Sequence, residues 1–298
     1  MRRLWAVAIV AGCSFEHGAP IAAIDARESD ATIDSPPVTP TGWSAPVEIA
    51  ELTSGTGDDD PSLTNDLLEI YWGSHRAGGY GGEDIWVARR ASPTDPWGTP
   101  SNVTELNSAF AETTMKVTGD GLAMYFTSTR GGNADLYFSS RMSRSDAWSI
   151  PQLSSLSTVY GDYGAFVQSD LRHVIFCMGD IVANEALYEA DRTSPQASWP
   201  TPTRVDELDE ANISECDPME PSGRTLYYAS ARGDGVTYDI FTAQRNSAAD
   251  PYAARTAVDA ANLPNANDRD PWVSQDEKLM VFASDRSGVD RLYVTTRP

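Results

Sequence analysis

The chain has 298 residues, 41% of them hydrophobic, with 22 glycines and 19 prolines; it can bury a large core and is heavily punctuated by turns, as all-β domains are. Its 43 acidic and 22 basic residues leave a net charge of −21, and its lysines are Lys116 and Lys278 alone, which excludes a nucleic-acid or anionic-membrane surface built on clustered cations. Its three histidines, His17, His75 and His173, leave little material for a zinc site or a Ser-His-Asp triad.

The first residues read as a targeting segment. Met1-Arg2-Arg3 is a basic start, Leu4 to Ala11 a short apolar run, and small residues precede a cysteine. The run is too short to span a bilayer. Val10-Ala11-Gly12-Cys13 resembles the bacterial lipobox, which implies cleavage after Gly12 and diacylglyceryl attachment to Cys13. Ser14, where an aspartate would favour the inner membrane, implies an outer-membrane address. An ordinary secretory signal is the other reading of these residues. Residues 1–12 are thus expected to be a lipoprotein signal peptide, the mature chain touching a membrane through its lipid anchor only. Residues 13–42 are rich in Ala, Asp, Ser, Thr and Pro and lack apolar periodicity, so they are expected to be a disordered tether.

From Trp43 to Pro298 one pattern occurs five times. An aromatic opens each copy (Trp43, Trp97, Trp148, Trp199, Tyr252), placing the copies 54, 51, 51 and 53 residues apart. Each copy then carries an apolar run such as Ala123-Met-Tyr-Phe126, a turn such as Arg130-Gly131-Gly132, and a second run such as Asp135-Leu-Tyr137. Four residues past the last aromatic of that run stands an arginine: Arg90, Arg141, Arg192, Arg245, Arg297. A period near fifty with several short strands per unit predicts a β-propeller, because one such unit cannot bury its own faces. Four strands, A to D, are expected per blade, with no need for helices. The fifth copy ends after its C strand, so Trp43 to Ala50 is expected to complete it and close the ring.

Gly119-Asp-Gly121 through Tyr125-Phe-Thr-Ser128, Arg130-Gly-Gly132 and Asp135-Leu-Tyr137, with echoes in each copy, resemble the WD40-like, or PD40, repeats of TolB-type β-propellers. The resemblance covers residues 43–298. It implies an all-β fold and a role as an envelope binding or scaffolding module whose partner is a protein, peptide or glycan. TolB itself carries six blades and a second domain, whereas five copies are present here, so its particular partners do not transfer. The expected chain is monomeric and non-catalytic, with no cofactor, although carboxylates leave calcium open.

The candidate ligand-binding residues form a column. An acid opens strand A in every copy, Asp58, Glu112, Asp162, Glu215 and Asp268, and Asp60, Asp217 and Asp270 follow two residues on. Carboxylates converging on one channel mouth would attract a cation or a basic peptide. An alternative places each acid beside the residue after strand B (Arg76, Arg130, Arg232, Arg286) as a within-blade ion pair. Blade three lacks that arginine and has the Cys177-Met-Gly-Asp180 stretch instead. Cys177 and Cys216 fall on one rim of adjacent blades; export permits a disulfide between them, subject to the distance between blades. One enzyme reading survives, a five-bladed glycoside hydrolase using channel-mouth carboxylates such as Asp58, Asp162 and Glu215.

Overall fold

The computed structural model describes residues 42–179, 184–210, 213–231 and 237–298. The expected signal peptide with its lipid-bearing Cys13, the tether up to residue 41, Asp180 and Arg232 lie outside the described residues. The described chain begins with β1 (Val47–Glu48). Blade one follows as β2 (Asp58–Leu63), β3 (Glu69–Ser74), β4 (Asp84–Arg89) and β5 (Ser101–Asn102), and blade two as β6 (Glu112–Val117), β7 (Ala123–Ser128), β8 (Asp135–Ser140) and β9 (Gln152–Leu153). Blade three is β10 (Asp162–Val167), β11 (His173–Gly179), β12 (Glu185–Asp191) and β13 (Thr203–Arg204). Blade four is β14 (Glu215–Met219), β15 (Thr225–Ser230), β16 (Asp239–Gln244) and β17 (Thr256–Ala257). Blade five supplies β18 (Asp268–Val273), β19 (Leu279–Ser284) and β20 (Arg291–Thr296), and its outer strand is β1.

The chain is therefore an all-β, five-bladed β-propeller, each blade a four-stranded antiparallel sheet. Closure comes from the segment expected to provide it: Val47 faces Val294 and Glu48 faces Tyr293. The innermost strands β2, β6, β10, β14 and β18 pack on one another around the central channel. A single 3-10 turn, Ala50–Leu52, is the helical content among the described residues.

The second strands explain the apolar runs. All six residues of β3, β7 and β15 are buried, because these strands have a neighbouring blade on each face. Their aromatics sit directly opposite those of the third strand, Phe126 facing Tyr137 and Phe282 facing Tyr293, with ring centroids 6.1 and 6.0 Å apart. Such cross-strand pairs hold the register of a sheet.

The repeated arginine and the opening aromatic are partners. Arg90, Arg141, Arg192 and Arg245 lie 4.0 to 4.5 Å from the ring centroids of Trp97, Trp148, Trp199 and Tyr252. In blade five the pair is Arg297 over Trp43, at 4.7 Å. Each stack pins the segment leading into the outer strand onto the blade it completes.

Each innermost strand also carries a bulge. Its third residue has a left-handed backbone in all five blades: Asp60 (φ 52°), Thr114 (47°), Gly164 (61°), Asp217 (55°) and Asp270 (56°). The register with the second strand shifts there, for example between Asp59 and Ser62. Four non-glycine residues in that region repeat a costly conformation, which marks the row as a position the fold uses.

Candidate functional site

Asp58, Glu112, Asp162, Glu215 and Asp268 each open an innermost strand, and all five are buried. Asp58 lies 2.7 Å from Arg76, Glu112 3.0 Å from Arg130, and Asp268 2.6 Å from Arg286. Each arginine also donates to a loop carbonyl, of Leu52, Leu106 or Ala261. The carboxylates in turn accept loop N–H groups, Ser54 to Asp58, Ser108 to Glu112 and Leu263 to Asp268. In these three blades the acid and arginine tie the loop arriving from the previous blade to the strand that begins the next.

Blade three keeps the loop bond without an arginine: Asp162 accepts the Thr158 N–H at 2.6 Å and its hydroxyl at 3.1 Å. Burial pushes the Asp162 carboxyl up to about 7, only partly offset by those bonds. Glu215 is pushed up to about 8 by burial and then by Asp209. Beside it, Cys216 is disulfide-bonded to Cys177, the Cα atoms 5.1 Å apart, so the bond joins β11 to β14 across blades three and four. That separation lies within the ordinary reach of a disulfide.

None of the five strand-opening acids lines either of the two cavities found on the channel. The cavity at the end where the innermost strands begin, about 170 Å³, is lined instead by Asp59, Asp60, Glu83, Glu185, Asp217 and Asp270, with Arg269 among them. The bulge turns the third residue of the strand toward the channel while the first stays inside its blade.

The bulge row is stitched from blade to blade. Thr114 N–H donates to Asp60 Oδ2 at 2.7 Å, Asp60 N–H to Asp270 Oδ2 at 3.3 Å, and Gly164 N–H to Thr114 Oγ1 at 3.0 Å. Gly164 has no side chain with which to continue. Burial, then Asp270, pushes Asp60 well above the usual carboxylate range; the same two causes raise Asp217, which is hydrogen-bonded to Asp270. Asp270 is itself held below its ordinary value: burial pushes it up, but the Arg269 guanidinium 2.5 Å away and the Asp217 bond outweigh that. Glu83 is raised by burial and by Asp59. Burial first, and the crowding of like charges second, thus disfavour the ionised forms of Asp60, Asp217 and Glu83, while Arg269 keeps Asp270 ionised.

The other end of the channel opens into a cavity of about 360 Å³ reached by all five turns between first and second strands, with Lys116, Gln168 and Trp272 on its wall. Gln168 donates to Glu220 at 2.6 Å, and Glu220 is paired with Arg245 at 2.7 Å. Lys116 is buried between the two ends, close enough to Asp217 and Asp270 to favour their ionised forms.

The sequence brought out Asp60, Asp217 and Asp270 as a row but missed Asp59, Glu83, Arg269 and Asp290. Asp59 and Arg269 precede the bulge, and Glu83 and Asp290 precede the third strand, so their meeting depends on sheet register.

No family model matches the chain, and neither does any curated protein. Solved structures do. A putative TolB from Agrobacterium tumefaciens is 15% identical with a TM-score of 0.51, over 85% of this chain and 84% of that one. The catalytic domain of an α-L-arabinofuranosidase from Coprinopsis cinerea is 11% identical with a TM-score of 0.57, over 86% and 97%. An endo-arabinase from Bacteroides thetaiotaomicron is 10% identical with a TM-score of 0.57, over 85% and 97%. At such identities the likeness shows the β-propeller fold alone, and chains named as differently as TolB and endo-arabinase share it.

Proposed function

We propose that the chain is a non-catalytic binding module of the bacterial cell envelope, held to the outer membrane by lipid on Cys13, with a basic peptide or protein segment received at the acidic channel mouth. The observation that carries this reading is the set of six carboxylates, Asp59, Asp60, Glu83, Glu185, Asp217 and Asp270, converging on a cavity of about 170 Å³ beside Arg269. A lysine or arginine side chain entering there would favour the ionised carboxylates and meet preformed acceptors. The strand-opening acids Asp58, Glu112, Asp162, Glu215 and Asp268 would act from behind, holding the loops that frame the mouth. The Cys177–Cys216 disulfide is in keeping with an oxidising compartment.

Glycosidic cleavage is the second reading, favoured by the fold shared with an α-L-arabinofuranosidase and an endo-arabinase. Separation argues against it for the trio Asp60, Asp217 and Asp270. A retaining pair stands about 5 to 5.5 Å apart and an inverting pair further, so that a sugar fits between. Asp60, Asp217 and Asp270 have oxygens within 4.8 Å of one another, and Asp217 is bonded to Asp270.

The two readings separate when the purified chain is incubated with arabinan and arabinofuranosides and, in parallel, with immobilised lysine-rich, neutral and acidic peptides. Retention of the lysine-rich peptide with no sugar released is expected. Release of sugar, abolished by Asp217→Asn, would replace the binding reading with the hydrolase.

A further inference from the structure

Blades one and five place different groups at the same three positions. In blade five the residue before the bulge is Arg269, the bulge residue is Asp270, and the residue before the third strand is Asp290. There the arginine bridges the two acids, 2.5 Å from Asp270 and 2.9 Å from Asp290. In blade one the same positions hold Asp59, Asp60 and Glu83. Both acids remain, and where the built-in cation would be there is a third carboxylate. The corresponding pairs flanking the bulge row in blades two, three and four are Thr113 with Ala134, Tyr163 with Glu185, and Cys216 with Tyr238, so only blade one has acids at both positions.

Three observations show that these acids are crowded together and short of donors from the rest of the protein, Asp59 and Glu83 bonding only to one another on their facing sides. Oxygens of Asp59, Asp60 and Glu83 lie within 4.8 Å of one another. Asp59 Oδ1, Asp60 Oδ1 and Glu83 Oε1 are each buried with no hydrogen-bond donor from outside the trio, and Asp60 is 4% exposed and Glu83 7%. Nearby positive charge is limited: Arg269 reaches Asp59 Oδ2 at 3.1 Å but is already shared with Asp270 and Asp290. Buried carboxylate oxygens left without partners are costly. The backbone also makes room for them, since a Cβ on Gly73 would lie 1.9 Å from Glu83 Oε1 and 2.8 Å from Asp59 Oδ1.

We infer that blade one holds a calcium-class divalent cation between Asp59, Asp60 and Glu83, the ion taking the place that Arg269 fills in blade five. The donors are oxygens, which suits a hard cation, and an irregular carboxylate set suits calcium better than the strict octahedron of magnesium. A second acidic cluster, Asp60 with Asp217 and Asp270, is the poorer host. Its oxygens accept the Thr114 and Asp60 N–H groups and the Arg269 guanidinium, and Lys116 lies beside it. The ion's route in is the 170 Å³ cavity, where His75, half exposed, stands 3.7 Å from Glu83 Oε2. The site goes beyond the binding reading and does not rest on it; an ion there takes three of the mouth's carboxylates and leaves Glu185, Asp217 and Asp270 to face an incoming basic segment.

The test is calorimetric titration of the full chain, stripped with chelator, with calcium chloride, alongside thermal unfolding with and without the ion. One equivalent of calcium is expected to bind and to raise the melting temperature. Glu83→Gln is expected to weaken binding at least tenfold. Asp59→Arg, which copies blade five into blade one, is expected to abolish binding while melting, without calcium, no lower than the parent; this keeps the test informative if Glu83→Gln fails to fold. A parent chain that takes up no calcium overturns the inference. So does binding that survives Glu83→Gln and Asp59→Arg but is lost in Asp217→Asn, which would move the ion to the other cluster.

Discussion

Arg297 lays its guanidinium over the ring of Trp43, 4.7 Å from the centroid, and so joins two residues 254 positions apart (297 − 43) in the stack that every other blade makes locally. Ser44 N–H donates to the Thr296 carbonyl beside it at 2.8 Å, and Trp43 meets Tyr227 edge-on. Trp43→Ala removes the stack and the packing at the one seam with no covalent continuity. The expected cost is on the order of 3 kcal/mol, seen as a lower urea midpoint, whereas Trp97→Ala, inside a continuous blade, should cost less. Equal losses in the two variants would show that closure has no special dependence on Trp43.

Glu112 is buried against Arg130 at 3.0 Å and accepts Ser108 N–H, Ser108 Oγ–H and Ser128 Oγ–H. Removing its charge leaves the guanidinium without its anion and weakens the loop bond. Glu112→Gln is expected to destabilise by about 3 kcal/mol, as breaking one side of a buried pair does. Chemical denaturation measures it; a loss below about 0.5 kcal/mol would place the pair with weak surface bridges.

Asp162 occupies the same position without a described cation, and burial pushes it up to about 7. An aspartate in the unfolded chain ionises near pH ~4, so the folded state keeps a proton that the unfolded state gives up. Its contribution is fully present below that pH, falls as pH rises toward about 7, and levels off above it. Asp162→Asn cannot ionise, so its melting temperature relative to the parent should improve between about pH 4.5 and about pH 8. A relative stability that stays flat or worsens over that interval contradicts the assignment.

The Cys177–Cys216 disulfide closes a loop of sequence separation 39 and ties blade three to blade four. Cys177→Ala with Cys216→Ala is expected to lose about 2 to 4 kcal/mol, measured as a shift in denaturant midpoint under oxidising conditions. Reductant should bring the parent close to the variant. A parent indifferent to reductant would mean that the thiols are free.

The fold was legible because its determinants are local and repeated. Runs such as Ala123 to Phe126 are apolar at adjacent positions because both faces of β7 are covered, and the arginine and aromatic columns mark the two ends of one contact. Trp43 to Ala50 could be assigned to blade five because it looks like an outer strand and the fifth copy lacks one of its own. The channel mouth was less legible. Alternation counted from Asp58 fails at Asp60, where the left-handed bulge shifts the pleat, so a column of acids does not reveal which of them reaches the cavity. Glu83 and Asp59 are 24 residues apart in sequence (83 − 59) and meet only through the pairing of β2, β3 and β4. The acid and arginine after strand B, by contrast, come from neighbouring strands in a repeated register, and their pairing was one of the two readings open from sequence.

The measurement closest to the central claim is calorimetric titration of the chain with a lysine-rich peptide at low and at high salt, for the parent and for Asp217→Asn. A binding mouth built from carboxylates predicts saturable binding that weakens as salt rises and is reduced at least tenfold in the variant. Binding that ignores both salt and Asp217→Asn, or no binding to the parent at all, would contradict it.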